Sequence, residues 1–244
     1  MSCVSTPAIV AEVLDLLAEA WLEPGSDVRE RAGVLGRRAA GVALEPLARA
    51  LATLATSSAG ELAVEYARVF LHGRPATAHP HESFYRTGLI GDPDVTAELG
   101  ELLAAAGVDA GASRAVLPDH LGIELDLLAL LVGGPAATAD DLAARAEIIH
   151  LGTRLVDEHL TDFVAGLEAA AEALEPAPYH RALMSATAAA VAAARAVLAG
   201  MAVTQDEETP PSRRKEERTM RRLMAVLAGV VLTLTPALVR AQTT

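Results

Sequence analysis

The side chains with most chemistry to offer fall in two stretches, His79-Pro80-His81-Glu82-Ser83-Phe84-Tyr85 and Leu117-Pro118-Asp119-His120, with Glu124 one helical turn beyond the second. Imidazole and carboxylate together suit zinc or iron, so His72, His79, His81 and His120 with Glu82 or Glu124 spell one candidate chemistry, a histidine-dependent metalloenzyme. Their spacings match no regular metal-binding pattern. Asp119-His120 offers a second chemistry, because a carboxylate beside an imidazole can orient it for proton transfer. Asp119 can equally serve as the cap of a helix that begins at His120. The chain contains no GxxxxGK[ST], GxGxxG or GxSxG sequence, so a catalytic reading rests on the histidines alone.

The elements that must carry these residues read as helices throughout. Val10, Val13, Leu14, Leu17 and Trp21 share one face of a first helix, with Thr6 as cap, Pro7 at its first position and Pro24-Gly25 as its stop. Helices are expected over about Asp27 to Arg38, Glu45 to Thr56 and Glu61 to Phe70. A long loop, Leu71 to Pro93, holds the histidine cluster, and loops of that length in compact domains tend to be functional. Asp94 is expected to cap a helix through Ala106. The helix starting near Asp119 carries Leu121, Glu124, Leu125, Leu128 and Leu131 and ends at Gly133-Gly134-Pro135, a candidate hinge. Thr138 to about His159, Thr161 to Leu174 after a short break, and an alanine-rich Tyr179 to Leu198 complete an all-α, single-domain bundle of about eight to ten helices.

Composition limits the function classes. The 244 residues are 52% hydrophobic but only 3% aromatic, which removes the bulky fillers of a β-sandwich or barrel. Acids outnumber bases 32 to 20 for a net charge of −12, and such a surface repels a phosphate backbone, so no nucleic-acid partner is expected. The single cysteine, Cys3, provides no disulfide framework, which fits a cytoplasmic protein. Charge is unevenly placed. Setting aside the seven bases and five acids beyond residue 203 leaves thirteen bases and twenty-seven acids, a net charge of −14 on residues 1–203.

Taken in order, four segments resemble the TorD/DmsD/NarJ family of molybdoenzyme maturation chaperones. They are Glu65-Tyr66-Ala67-Arg68-Val69-Phe70; the loop closing on His81-Glu82-Ser83-Phe84-Tyr85; Leu117-Pro118-Asp119-His120-Leu121-Gly122-Ile123-Glu124-Leu125; and Glu158-His159-Leu160 with Phe163, followed by Tyr179-His180-Arg181-Ala182-Leu183. The resemblance spans about residues 8 to 200. It implies an all-helical cytoplasmic protein that is not an enzyme, has no cofactor of its own, and binds the leader segment of a molybdopterin-dependent oxidoreductase while the apoprotein folds and receives its cofactor before export or assembly. Transient contact with the molybdenum cofactor or a nucleotide is left open, as is monomer against dimer. Carried onto this sequence, the peptide-binding residues implied are Glu82, Ser83, Tyr85, Asp119 and His120, with Glu124 one turn beyond. Glu82, Asp119 and Glu124 would meet the arginines of the leader and neighbouring leucines its apolar stretch. His79-Pro80-His81 departs from the family, in which an apolar or aromatic residue often precedes the glutamate.

Residues 204–219 read as a charged flexible linker and 220–244 as an appendage. Met220-Arg221-Arg222 precede an uncharged Leu223 to Val239, then Arg240-Ala241, which is the layout of a secretory signal peptide. The expectation is that this segment is the export signal of a neighbouring reading frame. The rivals are a single membrane anchor, which would make the protein a membrane-tethered adaptor, and a fused copy of the bound leader.

Overall fold

Helix starts and stops follow the local chemistry of the chain. A computed structural model describes residues 5–58, 60–71, 78–108, 116–137 and 141–208, so His72, most of the linker and the whole of 220–244 lie outside the described residues. The elements are α1 (Thr6–Leu22), α2 (Arg29–Ala40), α3 (Glu45–Thr56), α4 (Leu62–Tyr66), α5 (Glu82–Thr87), α6 (Pro93–Ala105), α7 (Leu121–Ala137), α8 (Leu142–Arg154), α9 (Thr161–Glu172) and α10 (Pro178–Glu208). Two π-helical segments, Ala67–Leu71 and Leu155–Leu160, extend α4 and join α8 to α9. Among the described residues the joined pieces make nine helical rods, and extended pairing is confined to one isolated bridge.

Several expectations from the sequence meet corrections at helix ends, the first at α1, where Thr6 is already helical and Ser5 holds the cap position. Asp92, not Asp94, caps α6, accepting the N–H groups of Asp94 and Val95, with Pro93 in the first turn. Gly133-Gly134-Pro135 does not end α7, which runs to Ala137. The break foreseen near Leu160 is instead a wider turn, in which the Thr161 N–H reaches the Val156 carbonyl five residues back.

Helices α1 and α7 form the centre. Leu125, Leu128 and Val132 of α7 are fully buried with Val10, Val13, Leu14 and Leu17 of α1, each such side chain contributing about 1.5–3 kcal/mol through removal from water. Gly122 sets how closely they approach. A Cβ there would lie 2.5 Å from Leu22 Cγ and 3.2 Å from the Ala18 carbonyl oxygen. Helix α10 is long and apolar enough over Pro178–Thr204 to cross a membrane by length and composition. Its inward residues Leu183, Ala186, Ala190, Ala194 and Leu198 are nonetheless buried as part of the core.

The segment Glu65 to Phe70 is a structural clamp. Trp21, Tyr66, Phe70 and His180 pack ring against ring, and Trp21 Nε1 donates to Thr187 Oγ1 at 3.0 Å. Arg68 donates to the carbonyls of Leu174 and Glu175, and Glu65 accepts from both Arg68 and the Ala177 N–H. The α9–α10 turn is thereby tied to the end of α4. The guanidinium of Arg68 holds the Glu65 carboxyl down at about 2.

Candidate functional site

The two chemistry-bearing stretches meet where α5 and α7 begin. Pro80 leads into an extended His81 (φ −125°, ψ 124°), which pairs antiparallel with His120. The Glu82 N–H donates to the Asp119 carbonyl and the Leu121 N–H to the Pro80 carbonyl, both at 2.9 Å. Those two bonds pin the first turns of α5 and α7 together. Side chains then reinforce the bridge. Ser83 Oγ donates to Asp119 Oδ2 and itself accepts the Gly91 N–H at 2.8 Å, while His81 Nδ1 lies 3.2 Å from Asp119 Oδ1. Burial alone would raise the Asp119 carboxyl, but the hydrogen bonds from His81 and Ser83 outweigh it and hold the group below its ordinary value. Asp119 therefore braces two helices and a loop instead of capping α7.

Glu82 points to another element. Its Oε2 lies 2.9 Å from His159 Nδ1, with both side chains at most 2% exposed. The other oxygen receives a long contact, 3.3 Å, from Arg86 one turn along, whose Nη1 also reaches Glu98 at 2.8 Å. A chain of polar contacts thus runs from buried His159 on the second π segment through Glu82 and Arg86 to exposed Glu98.

The remaining expected residues surround this brace. Glu124 is 1% exposed, and neither carboxylate oxygen has a hydrogen-bond partner. Burial first, then the nearby charges of Glu82 and Asp119, push its carboxyl well above 4.5. His120 is buried, its Nδ1 accepts the Gly122 N–H at 3.1 Å, and its neutral ring therefore carries the proton on Nε2. Desolvation, aided by His81 and opposed by Asp119, lowers it to about 4. Tyr85 is half-buried, its ring 5.5 Å from that of Phe163 and against Gly166, where a Cβ would sit 3.0 Å from the ring.

Five of the six expected residues, Glu82, Ser83, Asp119, His120 and Glu124, are thus buried. Glu82, Ser83 and Asp119 hydrogen-bond to protein partners, His120 engages a backbone N–H, and Glu124 faces no partner. His79 is drawn elsewhere, its ring against Phe84 with centroids 4.5 Å apart. Among the described residues no group of three or more His, Cys, Asp or Glu could hold a metal ion. Sequence reasoning about the site passed over His159, Arg86 and Gly91. His159 does lie in one of the segments that carried the resemblance, which was the signal available for it.

Comparison with known proteins adds to this geometry. Residues 37–169, more than half of the chain, match the family described as nitrate reductase delta subunit. The chain belongs to this family. The match takes in Glu65–Phe70, His81–Tyr85, Leu117–Leu125 and Glu158–Phe163, and with them the whole of the brace, whereas Tyr179–Leu183 and the clamp residues Trp21 and His180 lie beyond it. As a member of the TorD/DmsD/NarJ group of redox-enzyme maturation chaperones, the protein is a chaperone for a molybdoenzyme and not an enzyme. A solved structure of a candidate redox enzyme maturation protein from Archaeoglobus fulgidus is similar at 18% identity, covering 72% of this chain and 96% of that one, with a TM-score of 0.37. No curated protein sequence matches.

Proposed function

We propose that this chaperone acts in the cytoplasm on the apo form of a molybdoenzyme catalytic subunit, taking hold of its leader segment at the face where α5 and α7 begin. The observation that carries this reading is the joining of Ser83 and Asp119, 36 positions apart in sequence, through a buried hydrogen bond and a backbone bridge. A buried polar network of this kind fixes one arrangement of the surface above it. Glu82, Ser83, Asp119, His120 and Glu124 act in this reading as positioning residues, and His81, Tyr85 and Arg86 as the partly open members of the site. The −14 charge of residues 1–203 favours a ligand bearing arginines. The test is co-purification of the client subunit from the native host with this protein as bait. A full-length client that is retained, and a leaderless client that is not, is the expected result. Equal retention of both moves recognition away from the leader.

A further inference from the structure

The buried brace ends at a surface loop that is more apolar than the solvent warrants. Between α5 and α6, Gly88 (φ 80°) and Gly91 (φ 70°) adopt left-handed backbone that side-chain-bearing residues rarely take. They lift Leu89 and Ile90 between them into solvent, 62% and 48% exposed. Leu117, 42% exposed, lies directly against Gly91, where a Cβ would come within 2.9 Å of its Cδ1. The same Gly91 gives its N–H to Ser83 Oγ, and Ser83 in turn donates to Asp119, two residues after Leu117. One hydrogen-bonded chain therefore holds both halves of an exposed shelf made of three large aliphatic side chains.

Exposed leucine or isoleucine on a mobile loop would be unremarkable, but a shelf held by fully buried Ser83 and Asp119 is preorganised. Its surroundings are acidic. Helix α6, which follows the shelf directly, carries exposed Asp94, Glu98 and Glu101, and among the described residues Glu98 alone of the three has an arginine against it. An apolar ledge beside unneutralised carboxylates complements a peptide in which basic residues adjoin an aliphatic run.

We infer that Leu89, Ile90 and Leu117 are the surface on which the aliphatic stretch of the leader peptide docks, with its arginines toward α6, and that the Ser83–Asp119 network beneath positions this shelf without itself touching peptide. This rests on the function proposed above.

The test measures binding of fluorescent leader peptides, one for each molybdoenzyme encoded in the same genome, to the full chain. Variants are Leu89→Ser with Ile90→Ser, Leu117→Ser, and Val64→Ser as a control at an equally exposed site on α4 (62%). Serine leaves the charge unchanged, so lost affinity reports apolar contact. A second arm replaces the aliphatic stretch of the peptide by serines against the unaltered protein, which needs no variant to fold. The expected result is about tenfold or greater weakening in the shelf variants and with the altered peptide, and none for Val64→Ser. If peptide binds all variants equally, the shelf assignment is overturned while the proposed function stands. If no leader binds even the unaltered chain, both fall. If the shelf variants keep peptide but convert a sedimenting dimer to monomer, the shelf is a self-association surface and the inference is wrong.

Discussion

Glu124 gives the sharpest physical expectation. Both its oxygens are buried without partners, and the nearest charges are the carboxylates of Glu82 and Asp119, only partly offset by Arg86. The folded protein therefore binds this proton more tightly than the unfolded chain, in which the group has its ordinary value of 4.5. A raised carboxyl contributes its full stability below about pH 4.5, and each further pH unit costs about 1.4 kcal/mol until the raised folded value is reached. Glu124→Gln has nearly the same shape and no proton to lose. Its buried amide carries a constant penalty, so the comparison to make is its stability relative to the unaltered protein as a function of pH. The difference, Gln minus Glu, is expected to move in favour of Gln by at least about 1 kcal/mol between pH 5 and pH 7. Urea denaturation followed by helical circular dichroism at several pH values measures it. A difference that stays flat across this range means that Glu124 is ionised in the fold or has found a counter-charge, and the neutral-carboxyl account fails.

Other consequences are equally direct. Asp119→Ala leaves Ser83 and His81 without their acceptor and is expected to cost about 1–3 kcal/mol, and Ser83→Ala about 1–2 kcal/mol; hydrogen exchange at the Gly91 amide should quicken in both, and unchanged exchange would break the link from brace to loop. Gly122→Val drives side-chain atoms into Leu22 and the Ala18 carbonyl, so a loss of about 2 kcal/mol or more is expected in thermal melts, against no loss if α1 and α7 can separate freely. His120 and His180 are both buried neutral, pushed down to about 4 by desolvation. Because a lowered base is stable when unprotonated, their contribution is full above about pH 6.5 and falls as acid approaches pH 4, by up to about 3 kcal/mol each. His180→Phe should therefore flatten the acid limb of the stability profile, and an unaltered limb would place the sensitivity elsewhere.

Much of the scaffold was readable from period and punctuation. The α3 bounds match the apolar spacing of Leu47, Leu51 and Leu54, and α1 ends where Pro24-Gly25 foretells. Short α5 was hidden, since its six residues show no period and sit in a stretch rich in Pro, His and Gly. The two π segments were hidden too, because a turn with one extra residue keeps helical composition and changes only the register. The linker expectation began at residue 204, whereas α10 runs to Glu208, since glutamine and glutamate prolong a helix readily. At the candidate site, residue types singled out two stretches that the fold brings together, but not their contacts. Ser83 with Asp119 and Glu82 with His159 are partners across 36 and 77 positions, and no local pattern encodes such pairs. The burial of the acids was likewise invisible, since a carboxylate in a sequence reads as a solvated charge until its surroundings are known.

The expectation for a maturation chaperone is that this chain enables a molybdoenzyme to acquire its cofactor. It is tested most directly by the molybdenum content of the client catalytic subunit purified from a strain lacking this gene and from the same strain carrying it again. The client is expected to be depleted of molybdenum without the chaperone and restored by the unaltered gene, with Asp119→Ala restoring little. A client fully loaded in the deletion strain contradicts it.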